Sequence, residues 1–105
     1  MPAMEYMNGY YKTRISLKEL ARLCYLSESY FHHLFKETFH ITPNDYILQL
    51  RMNEAIHLLT NTKMLIRDIA RETGFYDASC FSKTFSRYFK QSPAQFRSSI
   101  EERIP

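Results

Sequence analysis

The sequence predicts an all-α fold, and three observations carry that reading. Only two glycines, Gly9 and Gly74, occur in 105 residues, and valine is absent. A sheet protein of this size draws on glycine turns and β-branched strands, so the usual strand material is missing. The third observation is spacing, because apolar residues recur three and four apart, as along Phe31, Leu34 and Phe35. With 45% hydrophobic residues, including eight Phe and eight Tyr but no Trp, the chain can fill one ordinary domain or two very small ones.

An internal duplication organises the elements. Pro43 and Pro93 stand 50 residues apart, and the same offset pairs Phe31 with Phe81, Phe35 with Phe85, Phe39 with Phe89, Thr42 with Ser92 and Tyr46 with Phe96. Upstream the offset falls to 49, pairing Leu20 with Ile69 and Ala21 with Ala70. One extra residue between Ala70 and Phe81 accounts for the change.

Taken in order, Glu5 to Tyr11 reads as a weak leading helix. Ser16 can then cap a short helix, with Glu19 three residues on as in a capping box and Leu17, Leu20 and Ala21 on one face. After a turn at Cys24 to Leu26, Ser27 can cap a longer helix that turns Phe31, Leu34 and Phe35 inward. Thr42 and Pro43 open the next helix as cap and first residue. Its apolar pattern runs to about Thr60, roughly 27 Å of helix, where Asn61 and Thr62 are expected to break it. Ile66, Ile69 and Ala70 give a second short helix. Gly74 supplies a positive-φ turn residue, and Asp77 can cap a helix with Phe81, Phe85 and Phe89 along its buried side. Ser92 and Pro93 start the last of seven helices.

Several functions are excluded or disfavoured by the same residues. Two glycines so far apart cannot form a phosphate-binding loop. No apolar run reaches the roughly 18 residues of a membrane span, and no signal peptide is evident. Cys24 and Cys80 are too isolated for a disulfide framework or zinc knuckle, so a reducing, cytoplasmic setting is expected. Cys80 is expected to be partly buried packing. The chain lacks a paired-carboxylate site and any HExxH, so no enzyme, metal or cofactor is expected. His32 and His33 are adjacent on a helix, hence about 100° apart and unsuited to one metal ion.

Two helices joined by a tight turn, with Ala70 four residues before Gly74, form a helix-turn-helix pattern, and here it occurs twice. Over Ile15 to Arg97 the sequence resembles the DNA-binding domain of the AraC/XylS family of bacterial transcription regulators. The carriers are "ISLKELA", "LSESYFHHLFKETFHITPNDY", "RMNEAIHLL" and "IRDIARETGFYDASCFSKTFSRYFKQSPAQFR". The resemblance implies two homeodomain-like subdomains, about 4–41 and 62–100, on a linker helix, 42–60. It also implies recognition helices entering adjacent major grooves, and a fairly rigid linker helix would fit straight DNA imperfectly, so some bending is expected. The family usually has Gly after each recognition helix, where this chain has His40 and Lys90, and commonly has Tyr at the position of Cys80. A non-glycine left-handed cap costs on the order of 1 kcal/mol.

By position, the residues resembling the family's base readers are Ser29, His32 and His33 in the first recognition helix, and Ala78, Ser79, Ser82 and Lys83 in the second. Lys can donate to guanine, Ser can serve either base, and Ala can meet a thymine methyl. The bland alternative for the histidines is ordinary solvated surface. Phosphate contacts are expected from Ser27, Lys36, Thr42, Arg87, Lys90 and Ser92, cations or hydroxyls at or near helix ends. Arg51 is expected to make structural bonds.

The expected function is therefore sequence-specific binding of double-stranded DNA to activate or repress transcription, from an asymmetric promoter site. The alternative is a helical protein-interaction module contacting RNA polymerase or another protein. About 15 residues before the first copy leave no space for a sensor, so the chain is either a stand-alone small regulator or, as expected here, a fragment of a longer effector-responsive regulator, with any dimerisation through a domain absent from this chain. The net charge of +3 divides unevenly. Ala78 to Ile100 carries Lys83, Arg87, Lys90 and Arg97 with no acid, whereas Ser27 to Thr38 sets Lys36 against Glu28 and Glu37. Electrostatic attraction is expected mainly from the second unit.

Overall fold

In the computed structural model, which describes residues 1–103, side chains take over orphan N–H groups at the start of five of seven helices. Such a cap stabilises a helix by about 1 kcal/mol. The helices are α1 (Pro2–Tyr10), α2 (Leu17–Leu23), α3 (Glu28–Phe39), α4 (Pro43–Asn61), α5 (Ile66–Glu72), α6 (Ala78–Phe89) and α7 (Pro93–Arg103). No strand occurs among the described residues. Ile104 and Pro105, inside the domain limit expected from sequence, lie outside those residues.

Ser16 Oγ accepts from Glu19 N at 3.1 Å, Ser27 Oγ from Tyr30 N at 3.2 Å, and Asp77 Oδ1 from Cys80 N at 2.7 Å. The reciprocal capping box forms at α7, where Ser92 N donates to Gln95 Oε1 and Gln95 N to Ser92 Oγ, at 2.9 and 3.1 Å. The Glu19 carboxylate instead accepts the Tyr6 hydroxyl at 3.3 Å.

Two element limits differ from expectation for local reasons. Helix α1 starts at Pro2 rather than Glu5, with proline in its first turn and Ala3 and Met7 buried one turn apart. Helix α4 includes Asn61, because the Asn61 amide donates to His57 O at 3.1 Å and the Thr62 hydroxyl to Leu58 O at 2.6 Å. Those side chains add bonds to carbonyls of the last turn, Leu58 O also accepting from Thr62 N at 3.1 Å, instead of breaking the helix.

The chain divides into two compact units, 1–51 and 52–105, and the division falls within α4. In the first unit Ala3, Met7, Leu20, Ala21, Phe31, Phe35 and Ile47 form the core. The Phe31 and Phe35 rings lie 5.8 Å apart, Phe35 and Phe39 4.7 Å, and Tyr46 meets Phe35 edge-on at 6.1 Å. The second unit has Met52, Ala55, Leu59, Ile69, Ala70, Phe75, Phe81 and Phe85. Its corresponding ring pairs stand at 5.7, 4.7 and 5.7 Å, with Phe96 edge-on to Phe85. The duplication read from sequence is thus repeated in the aromatic packing.

Leu34 corrects the sequence reading. It is only half-buried and stands outside the core cluster, because Phe31, Phe35 and Phe39 already occupy the inward stripe of α3. Thr84 occupies the same place in the second copy, half-buried too. Cys80 was expected to be partly buried but is exposed in the first turn of α6, one position away from inward-facing Phe81.

Both helix-turn-helix turns close with the same bonds. Leu26 N donates to Ala21 O at 3.0 Å, and Phe75 N to Ala70 O at 2.9 Å. Ala21 and Ala70 are buried where a larger side chain would hold the helices apart. Between these anchors the chain turns through left-handed backbone, at Gly74 (φ 90°) in one unit and at Tyr25 (φ 57°) in the other. The caps at His40 (φ 64°) and Lys90 (φ 62°) are left-handed as well, so α3 and α6 both end in a left-handed residue that is not glycine.

Two arginines pin the loops that lead into α2 and α5. Arg51 Nε donates to Tyr11 O at 2.8 Å and Nη2 to Thr13 O at 3.0 Å, the structural bonds expected of it. Arg97 donates from Nη1 to Met64 O at 2.7 Å, from Nη2 to Thr62 O at 3.3 Å and from Nε to Leu59 O at 3.4 Å. A guanidinium suits this task because its planar fork can reach several carbonyls at once.

Candidate nucleic-acid interface

With Phe31 and Phe35 turned inward, α3 presents Glu28, Ser29, Tyr30, His33, Lys36 and Glu37 to solvent, and His32 half-exposed. The outer face of α6 carries Ser79, Cys80, Lys83 and Arg87 exposed, with Ala78, Ser82 and Ser86 half-exposed. Every residue expected from sequence to read bases therefore retains accessible surface on its recognition helix. Thr42 and Ser92 are half-buried at the starts of α4 and α7, while Ser27 and Lys90 are exposed at the ends of α3 and α6.

The hydroxyls of Ser27, Thr42 and Ser92 accept backbone N–H bonds as helix caps. A hydroxyl that accepts can still donate its own proton, so each keeps an O–H available for a phosphate oxygen. Capping and phosphate contact are compatible roles for these three residues.

Electrostatics separate the two faces. Helix α6 has Lys83 and Arg87 one turn apart, then Lys90, with no acid between Ala78 and Phe89. On α3, Glu28 and Glu37 outnumber Lys36, and His33 Nε2 lies 3.4 Å from Glu37 Oε1. The charge count for the second unit needs one correction. Arg97 is half-buried and committed to backbone carbonyls, so Lys83, Arg87 and Lys90 are the outward cations of that stretch.

The sequence reading did not single out Tyr76. It is 96% exposed and directly precedes the Asp77 cap of α6. Its signal was the change of repeat offset between Ala70 and Phe81. Among the described residues no group of three or more His, Cys, Asp or Glu could hold a metal ion. No helix there is long and apolar enough to cross a membrane.

Residues 20–99 match the family model for a helix-turn-helix domain, of AraC type. The chain belongs to the AraC family. It is 35% identical over 95 residues to the Msm operon regulatory protein of Streptococcus mutans, covering 90% of this chain and 34% of that protein. The AraC-type domain thus spans about a third of the length of the curated relatives it matches. Among solved structures, the C-terminal domain of the two-component response regulator yesN from Fusobacterium nucleatum is 32% identical, with a TM-score of 0.86 over 90% of this chain and 93% of that one. The DNA-binding domain of AdpA, solved in complex with a target DNA, has a TM-score of 0.90 at 21% identity, covering 98% of this chain and 93% of that one. At that identity the likeness is one of fold.

Proposed function

We propose that this AraC-type domain binds double-stranded DNA at specific sequences and so regulates transcription, with α3 and α6 each laid in a major groove. One observation carries the reading: the helix-turn-helix unit occurs twice, and each copy turns a polar stripe outward from its second helix. Ser29, His32 and His33 on α3, with Ala78, Ser79, Ser82 and Lys83 on α6, are the base readers. Ser27, Lys36, Thr42, Arg87, Lys90 and Ser92 hold the phosphates. We read 4–41 and 62–100 as the two reading subdomains and 42–60 as their linker, within a longer cytoplasmic regulator that dimerises, where it does, through another domain. The domain itself is non-enzymatic in this reading. An operon promoter is the target that the Msm relative's name supports.

Selection from random duplexes, followed by sequencing, tests the proposal. The expected result is one asymmetric site with two half-sites about one helical turn apart. Recovery of no preferred sequence would overturn it.

A second reading, contact with a partner protein such as RNA polymerase, is favoured by a separate feature of the first unit. Tyr6, Glu19, Arg22, Leu23 and Tyr25 line an open cleft of about 410 Å³. Partial burial and the nearby Glu19 carboxylate raise the Tyr6 phenol above the ordinary tyrosine range. The second unit has Glu72 and Gly74 where the first has Leu23 and Tyr25, so the fold itself does not require an apolar surface there.

A further inference from the structure

The turns of the two units can be matched atom by atom until one residue has no counterpart. Leu26 N bonds Ala21 O as Phe75 N bonds Ala70 O, which pairs Leu26 with Phe75. The cap of the following helix is Ser27 in one unit and Asp77 in the other. Ser27 follows Leu26 directly, whereas Tyr76 stands between Phe75 and Asp77. Tyr76 is the single inserted residue that shifts the repeat from 49 to 50.

The insertion serves no visible structural purpose. The first unit closes the same turn without it and still caps its recognition helix from a side chain, Ser27 Oγ accepting from Tyr30 N. Tyr76 is 96% exposed, and its phenol has no hydrogen-bond or ring partner among the described residues. A ring left in water buries no apolar surface, so the fold gains little from tyrosine here. Its position is what distinguishes it. It stands two residues ahead of Ala78 and three ahead of Ser79, where the backbone enters the outward face that also carries Lys83.

We infer that Tyr76 is an additional DNA contact, specific to the second unit, whose phenol O–H donates to a backbone phosphate beside the bases read by α6. The inference rests on the proposed DNA-binding reading. A phenol is a neutral donor with an apolar body, so it lends the contact hydrogen-bond geometry without adding charge. The inserted tyrosine therefore fixes the placement of α6 on the duplex while leaving base preference to the reader positions. The first unit, lacking this residue, has no equivalent contact.

Binding of the 105-residue chain to its selected duplex, measured by fluorescence anisotropy, tests the inference with Tyr76→Phe, Tyr76→Ala, Lys83→Ala and Tyr25→Phe. Tyr76→Phe is expected to weaken binding about tenfold, equally for the selected duplex and for single-base variants, since a hydrogen bond to a charged group is lost. Its salt dependence should stay that of the unaltered chain, because no cation is removed. Tyr76→Ala should lose at least as much, and Tyr25→Phe nothing. Circular dichroism should show the same helicity for Tyr76→Phe as for the unaltered chain. If Tyr76→Phe binds as tightly as the unaltered chain while Lys83→Ala is weakened, the Tyr76 contact is wrong and the DNA-binding reading stands. If Tyr76→Phe is unimpaired and only Tyr76→Ala loses affinity, the ring alone acts and the phosphate bond is overturned. If the unaltered chain prefers no duplex at all, the underlying reading fails first.

Discussion

Phe31 and Phe35 in the first unit stand 5.8 Å apart, and Phe81 and Phe85 in the second 5.7 Å, yet the surfaces beside those rings diverge. On α3 the outward positions hold Ser29, two histidines and an acid–base mixture. On α6 they hold serines, Lys83 and Arg87 without an acid. The difference separates what packing constrains from what it leaves free. Buried positions are held by packing, since a core at crystal-like density registers the loss of even one methylene. Outward positions are free to differ, and one copy carries a mixture of acids and bases where the other carries cations without an acid.

The largest effects are expected in the two cores. Phe31→Ala and Phe81→Ala should each destabilise by about 3–5 kcal/mol, the usual cost of emptying a buried aromatic site. Urea denaturation of both variants checks whether the two copies respond alike. Costs differing by more than about 2 kcal/mol would mean that the matched ring distances conceal unequal cores.

Surface changes should be smaller and should differ between units. Lys83→Ala is expected to cost about 1–3 kcal/mol of binding and relax preference at one base position, read by repeating the site selection with the variant. Unaltered preference would remove Lys83 from the readers. Smallest of all, Glu37→Gln should strengthen binding by about two- to fivefold at low salt, since an exposed carboxylate no longer faces the phosphates. A weakened complex would show instead that the Glu37 contact with His33 positions that ring for DNA.

The fold was legible in the sequence because its determinants are local. The caps at Ser16, Ser27 and Asp77 and the inward stripe of Phe31 and Phe35 follow from spacing and hydrogen-bonding capacity alone. Features depending on distant contacts were less accessible. Leu34 satisfies the same periodicity as its neighbours, but the phenylalanine rings leave it no place inside. Arg97 contributes to a charge count like any arginine until its three carbonyl partners, over 30 residues away, are known. The offset change announced an extra residue near the second turn. Assigning it to Tyr76 required the hydrogen bonds of Leu26 and Phe75.

Tyr25 carries a consequence for heat tolerance. It holds a left-handed backbone at φ 57° where the second copy has Gly74, and a bulky residue is rarely found there. Relief of that conformation by Tyr25→Gly is worth about 1 kcal/mol. For a unit this small, such a gain should raise the midpoint of a calorimetric scan by about 4–8 °C. An unchanged or lower midpoint would show that the left-handed backbone at Tyr25 stores no strain that glycine can relieve. The first unit thus carries at one turn residue a backbone strain that its twin avoids with a glycine.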